Sequence, residues 1–330
     1  MAPADGPRDL RRRRSLLLSP VIRFFGGKGG VGKTTLAAAF ALRQAERGTR
    51  TLVVSTDPAH SLGDVLLASL ADTPREVLPG LWAAEISGEE QASRRVAEVA
   101  EDARHAVPRE VLPAVERHLA RAASSPGTVE SALLDRLTDL TEQVGTRWDL
   151  LVVDSAPTGH MVRLLSLPTL LTPWIEGLAR QRERARNADR LVAGMSGDAA
   201  DDPDPLLRRL HVRRDRMERM ARRLRAEALV HLVVVPEHLA LAETLRAADT
   251  LADAGLPLGA VLVNRVVPDE ETGVLAGRRD QQQEVLLRLK ERFADAGLVR
   301  VPLLAGTLAG AAELAVLGTV FDGAGGTLAG

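Results

Sequence analysis

"FFGGKGGVGKTTLAAAF", residues 24–40, sets two lysines, Lys28 and Lys33, five positions apart among five glycines. Gly27, Gly32, Lys33 and Thr34 satisfy the pattern G-x-x-x-x-G-K-[ST], with an apolar strand-like run before it and a helix-like run after it. Glycines let such a loop curl so that successive N–H groups and the helix N-terminus face a phosphate chain. The stretch therefore predicts a nucleotide-phosphate site, with Gly27, Gly29, Gly30, Val31 and Gly32 forming the loop. Lys33 is expected on the β and γ phosphates, and the Thr34 hydroxyl on Mg²⁺. One lysine suffices for such a loop, so Lys28 needs a separate explanation.

Further runs rich in Val, Leu and Ile follow at residues 51–56, 150–155, 229–235, 260–266 and 298–304. Runs apolar on both faces and separated by helix-length segments indicate a parallel sheet covered on both sides, so the fold class is doubly wound, mostly parallel α/β. Two of the intervals exceed what a sheet crossover requires. They predict an additional helical subdomain, contributed mainly by residues 85–127 and 161–228, within one domain spanning 20–330. Residues 1–19 read as a basic, flexible arm.

Two carboxylates belong to the phosphate site by position. "LLVVDSAP" ends a strand in Asp154, where a second Mg²⁺ contact, direct or through water, is expected. "STDPAHSLGD" places Asp57 just after a strand in the same unit, a candidate for orienting the water that attacks the γ phosphate; a helix cap ahead of Pro58 is the alternative reading.

Composition narrows the remaining functions. The 43 Lys and Arg nearly balance the 44 Asp and Glu, so no overall field draws the molecule to nucleic acid or an anionic membrane, and any basic surface must be local. Two such places exist, "RDLRRRR" at residues 8–14 and the nine arginines from Arg208 to Arg225. Cysteine is absent, which removes disulfides, thiolate catalysis and thiolate metal sites. The seven histidines show no metal-ligand spacing. No run approaches the ~20 apolar residues of a membrane span and no secretory signal is evident, so a cytoplasmic location is expected.

Apolar residues at Leu164, Leu167, Leu171, Ile175 and Leu178 outline one helical face, and those at Leu206, Leu210, Met217, Met220 and Leu224 a second. "GMSGDAADDPDP", residues 194–205, separates them as a loop. Met161, Met195, Met217 and Met220 fall in this region, and two readings stay open: a groove for an apolar client, or packing of the two helices on each other.

With these motifs assembled, the chain resembles the arsenite-pump ATPase and guided-entry tail-anchored-protein targeting ATPase family. "GGKGGVGKTT" is similar to that family's deviant phosphate loop, "STDPAHSLGD" to its switch I and "VVDSAPTGHMVRLLSLP" to its switch II. "PGTVESALL", "VVVPEHLALAETLRAADTL", "VLVNRVV" and "VPLLAG" follow in the same order. The resemblance implies an ATP-hydrolysing homodimer, or a heterodimer with a paralogue, in which Lys28 reaches the nucleotide held by the partner subunit. It also implies that Thr35 touches the α phosphate, that Asn264 and the segment around Pro302 line the adenine, and that His160 and Arg163 act as switch elements.

The departures bear on what such an ATPase would serve. Targeting members of the family carry a C-x-x-C pair that binds zinc; here that region reads "PDEETGVLAGRRDQQQ", so no zinc is expected. Pump members hold arsenite on cysteine thiols, which this chain lacks. "AGTLAG" places Thr307 and Ala309 where the family has charged residues. The expectation is an ATP- and Mg²⁺-dependent dimer handling a protein client or membrane partner, with no specific nucleic acid. A pump-driving subunit and a positioning switch like the septum-site and chromosome-partition ATPases are the alternatives.

Overall fold

The computed structural model describes residues 21–59, 61–106, 112–123, 125–196 and 204–322. The arm at 1–19, His60 of the switch I segment and most of the loop at 194–205 lie outside the described residues.

Strands β1 (Ile22–Gly27), β2 (Thr51–Ser55) and β5 (Leu150–Asp154) are buried along their whole length, as their unbroken apolar runs require. With β3 (Arg75–Leu78), β4 (Leu81–Glu85), β6 (Ala228–Val234), β7 (Val261–Val266) and β8 (Leu298–Pro302) they form one sheet, in the order β3-β4-β2-β5-β1-β6-β7-β8. Every pairing is parallel except β3 with β4. The register sets Phe25 of β1 and Ser55 of β2 beside Asp154 of β5, which gathers three motif-bearing strand ends along one rim of the sheet.

The interval 57–149 is not purely helical, because β3 and β4 extend the sheet from within it. β4 reads "LWAAE", with two alanines and no β-branched residue, and β3 reads "REVL" on an exposed edge. Neither carries the apolar run that marks the other strands. Helices α1 (Lys33–Glu46), α2 (Leu62–Leu66), α3 (Gly88–Ala106), α4 (Leu112–Ala123) and α5 (Pro126–Glu142) belong to this half of the chain. α3 packs against both α4 and α5.

Next come α6 (Thr158–Ser196) and α7 (Pro205–Ala226), then α8 (His238–Asp253), α9 (Val274–Arg292) and α10 (Ala311–Gly318). Leu165–Ala226 forms a compact unit of its own, and the sheet with the remaining helices forms the other. α6 continues through Pro168 and Pro173, each of which removes one backbone donor. The Thr172 hydroxyl also donates to Pro168 O at 2.8 Å, a side-chain bond back to the carbonyl four residues earlier. Among the described residues no helix is long and apolar enough to cross a membrane.

On one face of β1 and β6 the core is aromatic. Phe25 lies 5.6 Å from Phe40 and 5.4 Å from His231, and Phe321 meets Phe40 edge-on at 5.3 Å, between ring centroids. His231 is fully buried, its Nδ1–H donating to Ala260 O at 3.1 Å. A side chain at Gly259 would sit 2.6 Å from the imidazole, so glycine there makes room for the ring. Burial, aided by the nearby Arg23 charge, pushes the imidazole pKa down to about 3.

A lowered histidine pKa stabilises the fold above the unfolded value of 6.5, and that contribution is lost as pH falls through 6.5 toward 3. In this window the unfolded chain binds a proton that the folded chain refuses, at a cost of about 1.4 kcal/mol per pH unit. His231→Leu is expected to flatten the acid side of the stability profile by about one proton's worth of slope, read from urea denaturation between about pH 6 and pH 4.

Candidate active site

The phosphate loop runs from the end of β1 to the start of α1, and its backbone takes left-handed values at Gly30 (φ 76°) and Gly32 (φ 94°). Gly32 is required twice. Its φ suits glycine, and an added Cβ would stand 2.4 Å from Asn264 Nδ2. Gly29 and Gly30 have open space where a Cβ would be, as a loop approached by a ligand needs.

The loop is braced from the β7 side. Asn264 Nδ2 donates to Val31 O at 2.7 Å, and the Arg265 guanidinium donates to Gly30 O at 3.0 Å. Arg265 itself has a left-handed φ of 58°, and its N–H donates to Asn264 Oδ1 at 2.9 Å. Gln282 of α9, buried, holds this bulge: its Nε2 donates to Arg265 O at 3.1 Å and its Oε1 accepts from Val267 N at 2.9 Å. Asn264 was expected against adenine, and here its amide nitrogen is bonded to the phosphate loop. Pro302, exposed, ends β8 opposite Val266.

Asp154 is completely buried. Its Oδ2 accepts from the Thr34 hydroxyl at 2.8 Å and from the Ser55 hydroxyl at 2.9 Å. The other carboxylate oxygen, Oδ1, is buried without a hydrogen-bond partner. Burial raises the carboxyl pKa to about 6, against the opposing pull of those two hydroxyls and the Lys33 charge. A buried carboxylate with one idle oxygen beside a threonine hydroxyl fits a small, hard cation that takes oxygen donors. The residues therefore suit Mg²⁺, with Thr34 and Asp154 to hold it. Ser61 extends the set: its Oγ lies 3.1 Å from Thr34 Oγ1, and since Thr34 donates to Asp154, Ser61 donates to Thr34. Among the described residues no three histidines, aspartates or glutamates cluster as a separate metal site.

The two lysines occupy opposite environments. Lys33 is 5 % exposed; its Nζ donates to Lys28 O at 3.2 Å and stands 3.9 Å from Asp57 Oδ2. Lys28 is 42 % exposed, and its ammonium lies 3.3 Å from Glu243 Oε1 of α8. Asp57 is linked to the cation residues through its backbone N–H, which donates to Ser55 Oγ at 3.3 Å. It does not cap α2, which begins at Leu62. Its Oδ1 instead accepts from Ala59 N at 3.1 Å in a turn around Pro58. Thr35 follows Thr34 on the first turn of α1, half-buried.

Other expected site residues stand apart from this network. His160 is exposed, and Arg163 pairs with Glu130 at 3.1 Å. The segment Thr307–Ala309 lines a cavity of about 800 Å³ together with Gly63, Val65 and Leu67, and Gly310 N donates to Val65 O at 2.8 Å. Met161, Met217 and Met220 are all buried, so they serve packing in this conformation; the side chain of Met195 lies outside the described residues. Ser61, Arg265 and Gln282 were not singled out by motif. Ser61 lies inside the switch I string, but nothing local distinguishes Arg265 and Gln282.

Removing the amide of Gln282 would leave the buried Val267 N–H unpaired, at a cost of about 1–3 kcal/mol, and would release the partly exposed Arg265 carbonyl. Gln282→Leu is expected to lower thermal stability and to weaken nucleotide binding severalfold, measured by calorimetry with ADP. Unchanged affinity would show that the brace does not shape the loop.

Comparison with known proteins agrees with this geometry. The family model described as anion-transporting ATPase matches residues 21–322. The chain is 32% identical to the ATPase ARSA2 of Chlamydomonas reinhardtii, the match covering 85% of this chain and 78% of that protein. It is 32% identical to the arsenical pump-driving ATPase of Acidiphilium multivorum, over 86% of this chain and 45% of that protein, so it spans less than half of that relative's length. It is 26% identical to the ATPase ASNA1 homolog 1 of Paramecium tetraurelia, over 85% of each chain. Strand order, phosphate loop and a match that runs nearly the whole described length converge: the chain belongs to the anion-transporting ATPase family.

Proposed function

We propose that the chain is a cytoplasmic, magnesium-dependent ATP hydrolase that works as a dimer and couples nucleotide-driven closure to the handling of a protein client. The observation that carries the reading is the contrast between the two lysines. Lys33 is turned into its own loop beside Asp57, placed for the β and γ phosphates of the nucleotide that loop holds. Lys28, five residues earlier, faces outward with Glu243 as its neighbour. A cation that faces away from its own loop can act on phosphates supplied with a second subunit.

Each residue then has a task in phosphoryl transfer. The loop amides and Lys33 bind and orient the phosphates. Thr34 and Asp154 would hold Mg²⁺, which would supply positive charge to offset that of the phosphates. Asp57 orients the attacking water and accepts its proton, while its hydrogen bond to Ser55 ties its position to Asp154. Lys28 of each subunit stabilises charge developing on the partner's nucleotide, the role of an arginine finger.

A second reading, drive for an anion pump, draws on the printed names of relatives such as the Acidiphilium protein. The absence of cysteine weighs against arsenite held on thiolates. Stimulation of turnover by arsenite would favour this reading.

Lys33→Ala is expected to weaken nucleotide binding and turnover together. Lys28→Ala should leave binding nearly intact and reduce kcat by about 10³- to 10⁵-fold. Asp57→Asn should bind ATP normally and lose about 10² to 10⁴ in kcat. Mixing Lys28→Ala with Asp57→Asn then discriminates. In a mixed dimer one site regains both its own Asp57 and the partner's Lys28, so activity partly returns; two inactive proteins that stay inactive when mixed would refute action between subunits.

A further inference from the structure

The charge of the chain is balanced overall but not locally. α7 carries nine arginines against two acids, Asp215 and Glu218, a surplus of seven. Both acids are engaged within the helix, Asp215 by Arg214 at 2.6 Å and Glu218 by Arg222 at 3.7 Å. α7 is amphipathic: Met217, Met220 and Leu224 are buried. Arg208, Val212, Arg219 and Arg222, spaced by three, four and seven residues, lie along the exposed side. Val212 is 60 % exposed in the middle of that stripe.

The same compact unit exposes a second feature on α6. Leu170 and Trp174, one turn apart, are 65 % and 63 % exposed, and no charged residue occurs from Leu164 to Ile175. Arg225 donates to Thr169 Oγ1 at 2.9 Å, which sets the arginine-bearing end of α7 beside the Leu170–Trp174 turn. The C-terminal end of the arginine-bearing helix and the exposed tryptophan–leucine pair are thus close together in one helical hairpin.

We propose that the outer face of the α6–α7 hairpin docks on an anionic lipid surface, with the arginines on lipid phosphates and Leu170 and Trp174 entering the headgroup layer. Arginine attracts anionic headgroups, tryptophan is favoured at the membrane interface, and helices lying in that plane combine a cationic face with apolar residues. A nucleic acid would engage the same charges. Single-strand sites use successive stacking aromatics, however, and Trp174 is the one exposed aromatic residue among those described. An exposed leucine beside it adds nothing on a phosphate backbone. The inference does not rest on the nucleotide cycle, so it stands or falls separately from the proposed ATPase mechanism.

The full-length protein allows a direct test, because Trp148 is buried and Trp82 is half-buried with its ring centroid 6.5 Å from that of Trp148, so Trp174 is the most exposed of the three tryptophans. With phosphatidylcholine–phosphatidylglycerol vesicles the protein is expected to co-sediment and its fluorescence to shift to shorter wavelength; with phosphatidylcholine alone it should do neither. Binding should weaken steeply with added salt, a readout that needs no variant. The triple change Arg208→Gln, Arg209→Gln and Arg222→Gln should reduce partitioning by about a hundredfold. Trp174→Phe should remove the fluorescence shift while co-sedimentation persists. Failure to bind anionic vesicles, or equal binding to neutral ones, overturns the proposal. Binding to a short DNA duplex without binding to vesicles overturns it as well and assigns the face to nucleic acid.

Discussion

One carboxylate oxygen joins the parts of the site. Asp154 Oδ2 accepts hydrogen bonds from Thr34 of α1 and Ser55 of β2, so a strand end, a neighbouring strand end and the first turn of the phosphate-loop helix meet at a single atom. Placing that group in the core is costly, since burial opposes ionisation and leaves Oδ1 without a partner. A buried carboxylate with one idle oxygen beside a threonine hydroxyl suits a divalent cation, and a cation bound there would add to the stability of the fold.

The opposite flank of the loop is held by hydrogen bonds to its backbone carbonyls, one from an amide and one from a guanidinium. The bulge at the end of β7 bends the backbone so that Asn264 and Arg265 can reach carbonyls of the loop, and Gln282 keeps that bend paired from beneath. The loop thus sits between the buried carboxylate on the β5 side and the Asn264–Arg265 brace on the β7 side.

Legibility in the sequence followed how local each feature was. β1, β2, β5 and β6 could be read because doubly buried strands need long apolar runs, β7 and β8 because their stretches are rich in Val and Leu although each is partly exposed, and Lys33, Thr34 and Asp154 because their spacing encodes the loop and the strand end. β3 and β4 could not, since an alanine-rich strand and a charged edge strand are defined by the neighbours they pair with. α2 is only five residues long, too short to stand out. Ser61, Arg265 and Gln282 owe their parts to contacts across 15 or more positions, as Gln282 does with Val267. The methionines carried two readings in sequence, and burial of Met161, Met217 and Met220 favours packing.

Gly32 illustrates how such a site persists. A methyl group there would meet the Asn264 amide, which could move aside only by giving up its bond to Val31 O. Replacing Asn264 would not open the position either, because the left-handed φ remains. Glycine at position 32 is thus fixed by two separate constraints, one steric and one torsional. Relieving either one leaves the other in force, so the course of the loop does not hang on a single contact.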